Sequence, residues 1–284
     1  MTKCISILLV VLLVGTLLAA CGGTSSKEED KSQNQQSQGN KIEGTLEIAG
    51  STSVSPLAQD VADAFMAKYP GVTVNIQSIG SSSGIRAPKD GAAPIGMASR
   101  DLRQEEKDWG VKEYVVARDG IAVVGHPANT KADDLTLAQV TKIFKGEITN
   151  WSEVGGDDKE IIVVSREEGS GTRGAFEEIL DYKGQLRADA LIGDGNGNVK
   201  ANVQNNQYAI GYLSLGFLDE TVKTIKVDGE DPTVENIQAA KYPVQRPFIM
   251  VTLGEEDELT KAYLEFMLSA EGQTIAANGY IPVK

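Results

Sequence analysis

Histidine occurs once, at His126, and cysteine twice, at Cys4 and Cys21, so there is little from which to assemble a zinc site or a Cys/His nucleophile. Positive charge is also short. With 27 Lys and Arg against 40 Asp and Glu the formal net charge is −13. A nucleic-acid surface needs clustered cationic excess, so that class of partner is excluded. The nucleotide P-loop pattern Gly-x-x-x-x-Gly-Lys-Ser/Thr is absent, and Ser170, in Glu168-Gly169-Ser170-Gly171, does not sit in a Gly-x-Ser-x-Gly elbow. His126 precedes Pro127 after an apolar run and reads as a loop residue rather than a base. Asp194-Gly195-Asn196-Gly197-Asn198 begins like a calcium loop, but Val199 stands at the sixth position and Asn205 at the twelfth, so it reads as a turn. No catalytic machinery, metal or cofactor is therefore expected. What remains is an ordinary globular composition, 41% hydrophobic over 284 residues, enough for one large or two medium domains.

A long apolar run is missing everywhere except at the start. Lys3 is followed by Ile5 to Ala20, broken only by Ser6, Gly15 and Thr16, and the run ends Leu18-Ala19-Ala20-Cys21-Gly22. A basic start, an apolar stretch and small residues at its end are the parts of a secretory signal over residues 1–20. The end resembles the lipobox of bacterial lipoproteins, in which the cysteine is acylated and becomes the first mature residue. The alternative is an uncleaved membrane helix. Residues 22–40 are Gly, Ser, Gln, Asn, Lys, Glu and Asp around Thr24, with no large apolar side chain, and 21–40 read as a flexible tether behind a lipid on Cys21. With Cys4 removed and Cys21 acylated, the folded part has no disulfide and must rest on its core.

From Lys41 the pattern alternates strand, loop and helix. Thr45 to Ala49 reads as a strand, and Val54, Leu57, Ala58, Val61, Ala62 and Phe65 recur at helical spacing until Tyr69-Pro70-Gly71. Val72, Val74 and Ile76 alternate as a strand, and Ile95 to Ala98 is another. Asp101 to Trp109 predicts a polar helix, and Tyr114–Ala117 and Ile121–Val124 predict two buried strands. A capping box at Thr136-Leu137-Ala138-Gln139 announces a helix to Phe144. Ile161–Val164, a helix from Gly174 to Leu180, strands Ala209–Leu213 and Phe248–Val251 and two C-terminal helices complete an α/β chain with mainly parallel sheets.

Several strands end alike. Gly50-Ser51-Thr52-Ser53 and Gly169-Ser170-Gly171-Thr172 lie between a strand and a clear helix start, and Gly80-Ser81-Ser82-Ser83-Gly84 precedes a weaker one. Ligands of open α/β sheets bind outside the carboxyl ends of strands, where helix N-termini offer free N–H groups. Glycine lets backbone approach, and Ser or Thr adds a donor without bulk. One such turn is ordinary capping; three at equivalent places suggest one small tetrahedral oxyanion ringed by loops.

These clusters, together with Ile143-Phe144-Lys145-Gly146-Glu147-Ile148-Thr149-Asn150-Trp151, Arg166-Glu167-Glu168-Gly169-Ser170-Gly171-Thr172 and Ala209-Ile210-Gly211-Tyr212, resemble the periplasmic or lipid-anchored phosphate-binding proteins of phosphate ABC importers. The resemblance implies a two-lobed periplasmic-binding-protein-like fold of type II, each lobe a mainly parallel sheet flanked by helices, with ligand in the interlobe cleft. It implies lobe 1 over 41–117 plus 247–284 and lobe 2 over 118–246. Carried onto this sequence, Thr52, Ser53 and Ser81 contact phosphate from the first lobe, and Arg166, Ser170, Gly171 and Thr172 from the second. A guanidinium fork suits two oxygens of one phosphate, although Arg166 also reads as an ion-pair partner for Glu167 or Glu168.

One position departs from the pattern. Where well-known members carry a carboxylate after Ala-Ser, Ala98-Ser99 is followed by Arg100, an added cation that cannot accept a proton. Asp101 and Glu168 are the candidate acceptors in its place. The implied activity is extracytoplasmic capture of inorganic phosphate and its delivery to membrane permease subunits, by a monomer anchored through its N-terminal lipid to the bacterial cell membrane, without enzymatic chemistry. A sulfate or molybdate binder on the same fold, or a phosphatase, are the alternatives.

Overall fold

The computed structural model describes residues 42–284. The signal, the tether and Cys21 fall outside the described residues. Among the described residues no helix is long and apolar enough to cross a membrane.

The first elements are β1 (Gly44–Gly50), α1 (Ser55–Lys68), β2 (Val72–Ser78), α2 (Ser81–Asp90) and β3 (Ile95–Ala98). β1 pairs in parallel with β2 and with β3. α1 starts with proline in its first turn and buries Leu57, Ala58, Val61, Ala62 and Phe65 against that sheet. Burying each of the larger side chains contributes about 1.5–3 kcal/mol. α2 comes still closer to the strands because position 84 is glycine. A Cβ on Gly84 would lie 2.4 Å from the Gly50 Cα and 2.5 Å from the Met97 carbonyl oxygen. The second hydroxyl cluster is therefore the first turn of α2, not a loop before it.

A single turn, α3 (Gln104–Lys107), replaces the longer polar helix expected from Asp101 to Trp109. The Glu106 side chain accepts from the Arg103 N–H and closes the turn at its start, and Gly110, at φ 75°, ends the segment. The two strands expected at Tyr114–Ala117 and Ile121–Val124 are one strand, β4 (Val111–Gly125). The apolar pattern is broken by Arg118-Asp119-Gly120 because a buried charge pair sits there.

Beyond β4 follow β5 (Asp134–Leu135), α4 (Leu137–Lys145), β6 (Ile162–Arg166), α5 (Gly171–Ile179), β7 (Leu191–Gly193), α6 (Gly195–Gln204) and β8 (Ala209–Ser214). β9 (Lys223–Thr224), β10 (Lys226–Val227), α7 (Val234–Gln238), β11 (Gln245–Leu253), α8 (Glu258–Met267) and α9 (Ala270–Ala276) end the chain. The capping box of α4 forms as expected: Thr136 Oγ1 accepts from the Gln139 N–H, and the Thr136 N–H donates to Gln139 Oε1. The segment read as a turn at Asp194–Asn198 is instead the start of α6.

The main sheet runs β2-β1-β3-β11-β4-β8-β6-β7, with β9 beside β4. Both ends are parallel, whereas β11 is antiparallel to β3 and β4, and β4 to β8. β4 thus belongs to both halves: Val111–Gly120 pairs with β11, and Ile121–Gly125 with β8. Each half has its own apolar core. Phe65, Tyr263 and Phe266 centre one, and Phe144, Trp151, Phe176, Tyr182 and Tyr212 the other.

Where β4 passes between the cores, Asp119 and Arg246 pair at 2.8 Å with both side chains buried. Arg246 Nη1 also donates to the Ser99 carbonyl, and Asp119 Oδ1 accepts from the Leu215 N–H, so the pair ties both halves to the crossing. Burial pushes the Asp119 carboxyl up and the Arg246 guanidinium down, and their mutual attraction opposes both. Asp119→Ala leaves a guanidinium buried without a counter-charge. It is expected to cost about 3–5 kcal/mol in urea unfolding, and a loss below about 1 kcal/mol would show the crossing tolerates an unpaired charge.

Candidate functional site

The carboxyl ends of β1, β3, β6 and β7 bring four short segments to one seam between the halves. Ser51–Ser53 follow β1, Ser99 and Arg100 follow β3, Ser170 caps α5 after β6 with Gly171 and Thr172 in its first turn, and Asn196 stands in the first turn of α6 after β7. Ser81, in the first turn of α2, completes the ring. Ser51, Ser53, Ser81, Ser99, Ser170, Thr172 and Asn196 are all buried.

Hydrogen bonds join the two sides. Ser53 Oγ and Thr172 Oγ1 lie 2.8 Å apart, Asn196 Nδ2 donates to Ser53 Oγ at 2.9 Å, and the Ser82 N–H donates to the Gly169 carbonyl at 3.1 Å. Within the first half, Ser51 Oγ donates to Ser99 Oγ at 2.8 Å, and the Ser99 N–H donates to Ser81 Oγ at 3.1 Å. Gly171 permits the approach: a Cβ there would lie 2.1 Å from Ser81 Oγ and 2.8 Å from Ser99 Oγ. Glycine is needed at position 171 for this close contact rather than for a positive φ.

Arg166 reaches across the seam. Its Nη2 donates to Thr52 Oγ1 at 3.0 Å and its Nη1 points to Thr172 Oγ1 at 3.4 Å. The same guanidinium is gripped by its neighbour, with Nε and Nη2 on the two Glu167 carboxylate oxygens at 2.8 and 2.7 Å. The ion-pair reading of Arg166 therefore holds, and the same buried side chain also reaches the hydroxyls of the seam. Burial would raise the Glu167 carboxyl, but the Arg166 hydrogen bonds and charge, with the Gly195 N–H, outweigh it and hold it below its ordinary range. Tyr212 sets the height of Arg166 by accepting from its N–H at 3.2 Å. The Tyr212 ring stacks on Phe176 at 4.1 Å between centroids, and Phe144 lies at 5.6 Å. The aromatic members of the quoted motifs thus hold the site from behind, as core.

Arg100 is buried beside the ring with a different partner. Its Nη1 and Nη2 donate to the two Glu106 oxygens at 2.8 and 2.7 Å, and Nη1 also donates to the Asp101 carbonyl. Nε is left buried without a partner, next to Gly174 of α5. The two acceptor candidates read from the sequence, Asp101 and Glu168, are both exposed. Sequence reasoning missed Ser99, Asn196 and Glu106. Ser99 stands in the quoted Ala-Ser pair, but nothing in the spacing marks the other two.

The paired carboxylates leave the seam rich in hydroxyl and N–H donors and close to neutral in charge. Such a lining suits a small tetrahedral oxyanion. A groove of about 440 Å³, lined in part by Thr52, Gln59, Ile76, Asn196 and Phe217, opens beside the ring.

A family model described as a PBP superfamily domain matches residues 35–271. The phosphate-binding protein PstS of Bacillus subtilis (strain 168) is 33% identical over 261 residues, covering 89% of this chain and 86% of that protein. The protein of the same name from Borreliella burgdorferi is 31% identical, covering 88% and 94%. Among solved structures, one from Clostridium perfringens, described as a phosphate ABC transporter substrate-binding protein with bound phosphate, is 48% identical with a TM-score of 0.83, covering 85% of this chain and 100% of that one. An ABC-type phosphate transport receptor from Vibrio cholerae is 35% identical with a TM-score of 0.72, covering 84% and 100%. The fold is therefore the two-lobed α/β fold of these binding proteins.

Glu106 gives a pH test of the Arg100 pairing. Burial raises its carboxyl, but hydrogen bonds from the Arg100 side chain and the Arg103 N–H outweigh this and lower it from 4.5. A carboxyl lowered on folding adds stability above its unfolded pKa, and loses it as pH falls through the folded value. The wild type is expected to lose more stability between pH 6 and about 3 than Glu106→Gln does, although that variant starts less stable at pH 7. Parallel pH profiles in urea unfolding would contradict the assignment.

Proposed function

Because the chain belongs to the PBP superfamily, among its phosphate-binding PstS proteins, we propose that it captures inorganic phosphate at the seam between its lobes and delivers it to the permease of an ABC importer. The observation that carries this reading is the closed ring of hydroxyl and N–H donors around Arg166, drawn from both sides of the crossing strands. Thr52, Ser53 and Ser81 serve the anion from lobe 1, taken as 41–117 with 247–284. Arg166, Ser170, Gly171 and Thr172 serve it from lobe 2, taken as 118–246. Arg100 contributes the one guanidinium N–H that Glu106 and its other contacts leave over.

The binding step follows from these contacts. Ser170 caps α5, with its Oγ accepting from the Arg173 N–H, which leaves the first N–H groups of that helix unpaired for an anion. The hydroxyls of Ser53, Ser81 and Thr172 add short donors, and Arg166 adds charge-assisted ones. Glu167 keeps the guanidinium from standing as a bare buried charge before the ion arrives. The lobes rock about β4 and β11, and since the ring is complete only when they are shut, ligand and closure stabilise one another. No covalent step is involved. A signal over residues 1–20, an acylated Cys21 and the tether to residue 40 would hold a monomeric receptor on the outer face of the membrane.

Among the described residues the carboxylates at the ring, Glu106 and Glu167, are both paired with arginine, which favours one second reading, a site that accepts sulfate as well. Calorimetric titration of phosphate into protein stripped by unfolding and refolding decides both points. Saturable binding at about micromolar affinity or tighter, about −8 kcal/mol, is expected. Arg166→Ala should weaken it roughly 100-fold or more with the fold intact, the cost of truncating a buried charged partner. No heat with phosphate, or near-wild-type affinity in that variant, would overturn the assignment. Competition by equimolar sulfate would widen the ligand class without moving the site.

A further inference from the structure

We propose that Asn196 is a positioning residue of this site: its side-chain amide fixes the Ser53 hydroxyl as a donor toward the bound anion and latches the two sides when they shut. The inference rests on the anion-site reading and concerns a residue that the sequence placed in a turn. Asn196 stands in the first turn of α6 and is 1% exposed. A buried amide must pair both its oxygen and its nitrogen.

Its orientation is dictated by its surroundings. The Ser214 N–H, at the buried end of β8, donates to Oδ1 at 3.2 Å. An N–H can be satisfied only by the oxygen of the amide, so the nitrogen must face the other way. There Nδ2 donates to Ser53 Oγ at 2.9 Å. With that lone pair occupied, the Ser53 proton is free to point to an anion seated against both hydroxyls, or to be shared with Thr172 Oγ1, 2.8 Å away. Thr172 is treated alike, since Arg166 Nη1 points to its oxygen at 3.4 Å. Each hydroxyl thus already accepts from a neighbouring donor, which leaves its proton available to an anion.

The amide does this without charge. A carboxylate at position 196 would accept from Ser53, turn its proton away from the anion and add a repelling charge. Ser53 lies after β1 and Asn196 after β7, so the bond exists only when the two halves meet, which makes it a latch as well as an orienting contact.

The test is titration with inorganic phosphate at pH 5 to 8 of the full-length wild type and of Asn196→Ala, Asn196→Asp, Ser53→Ala and the Asn196→Ala/Ser53→Ala pair, with unfolding midpoints recorded for each. Asn196→Asp is expected to bind at least 30-fold more weakly than wild type at pH 8. That ratio should shrink as pH falls, because a protonated carboxyl again donates to Ser53 while its other oxygen accepts from Ser214. A purely structural defect would not be rescued by acid. The double variant should bind within about threefold of Ser53→Ala alone, since Asn196 acts on the anion only through the Ser53 hydroxyl. Additive losses, an Asp variant that tracks wild type with pH, or an Asn196→Ala variant within threefold of wild type would each overturn the role. Should Asn196→Asp fail to fold, the alanine pair alone decides. A wild type that binds no phosphate would overturn the anion-site reading itself, and with it this role.

Discussion

A guanidinium cannot be taken out of water without a counter-charge, and three are buried here among the described residues: Arg100, Arg166 and Arg246. Each is held by a carboxylate, Glu106, Glu167 and Asp119 respectively. These pairs shape everything around them. Asp119 and Arg246 fix where β4 and β11 cross. Glu167 and Arg166 present the remaining guanidinium N–H groups to Thr52 and Thr172. Glu106 and Arg100 pair beside the seam. On the proposed reading the site attracts an anion through directed donors at short range, not through net charge, so a charge of −13 does not oppose it.

Backbone makes that arrangement possible. Parallel strands deliver their carboxyl ends to one edge, and the helices that follow begin there, with their first N–H groups at the seam. Gly84 lets α2 settle on β1 and β3, and Gly171 lets α5 meet Ser81 and Ser99 without a side chain between them. The aromatic cluster of Phe144, Phe176 and Tyr212 then turns packing into position, since Tyr212 holds the backbone of Arg166. Stability and function meet at that residue.

Much of this was legible in the chain because it is local. Hydroxyl clusters after apolar strands, the capping box at Thr136 and the helical stripe of α1 are all written within a dozen residues. What escaped is long-range. Asp119 and Arg246 become partners only because two distant strands run side by side, and their charges made β4 look like two strands. Asn196 sits in a run of Gly and Asn whose composition reads as a turn, and its burial comes from β8 and the loop after β1. Glu106 is six residues from Arg100, a spacing that implies no contact until a single helical turn brings the carboxylate back. Composition reports what a segment can do alone; these residues act through elements far from them in sequence.

The central claim is that one phosphate ion is held by donors from both sides of the seam at once. A crystal structure of the phosphate-loaded protein tests it most directly. The account predicts a single ion within hydrogen-bond distance of Ser53 and Ser81 on one side and of Arg166 and Thr172 on the other, with the Glu106 and Glu167 pairs intact. An ion bound to one side alone, or lodged away from the seam in a second groove, lined in part by Tyr114, Lys261 and Lys284, would contradict it.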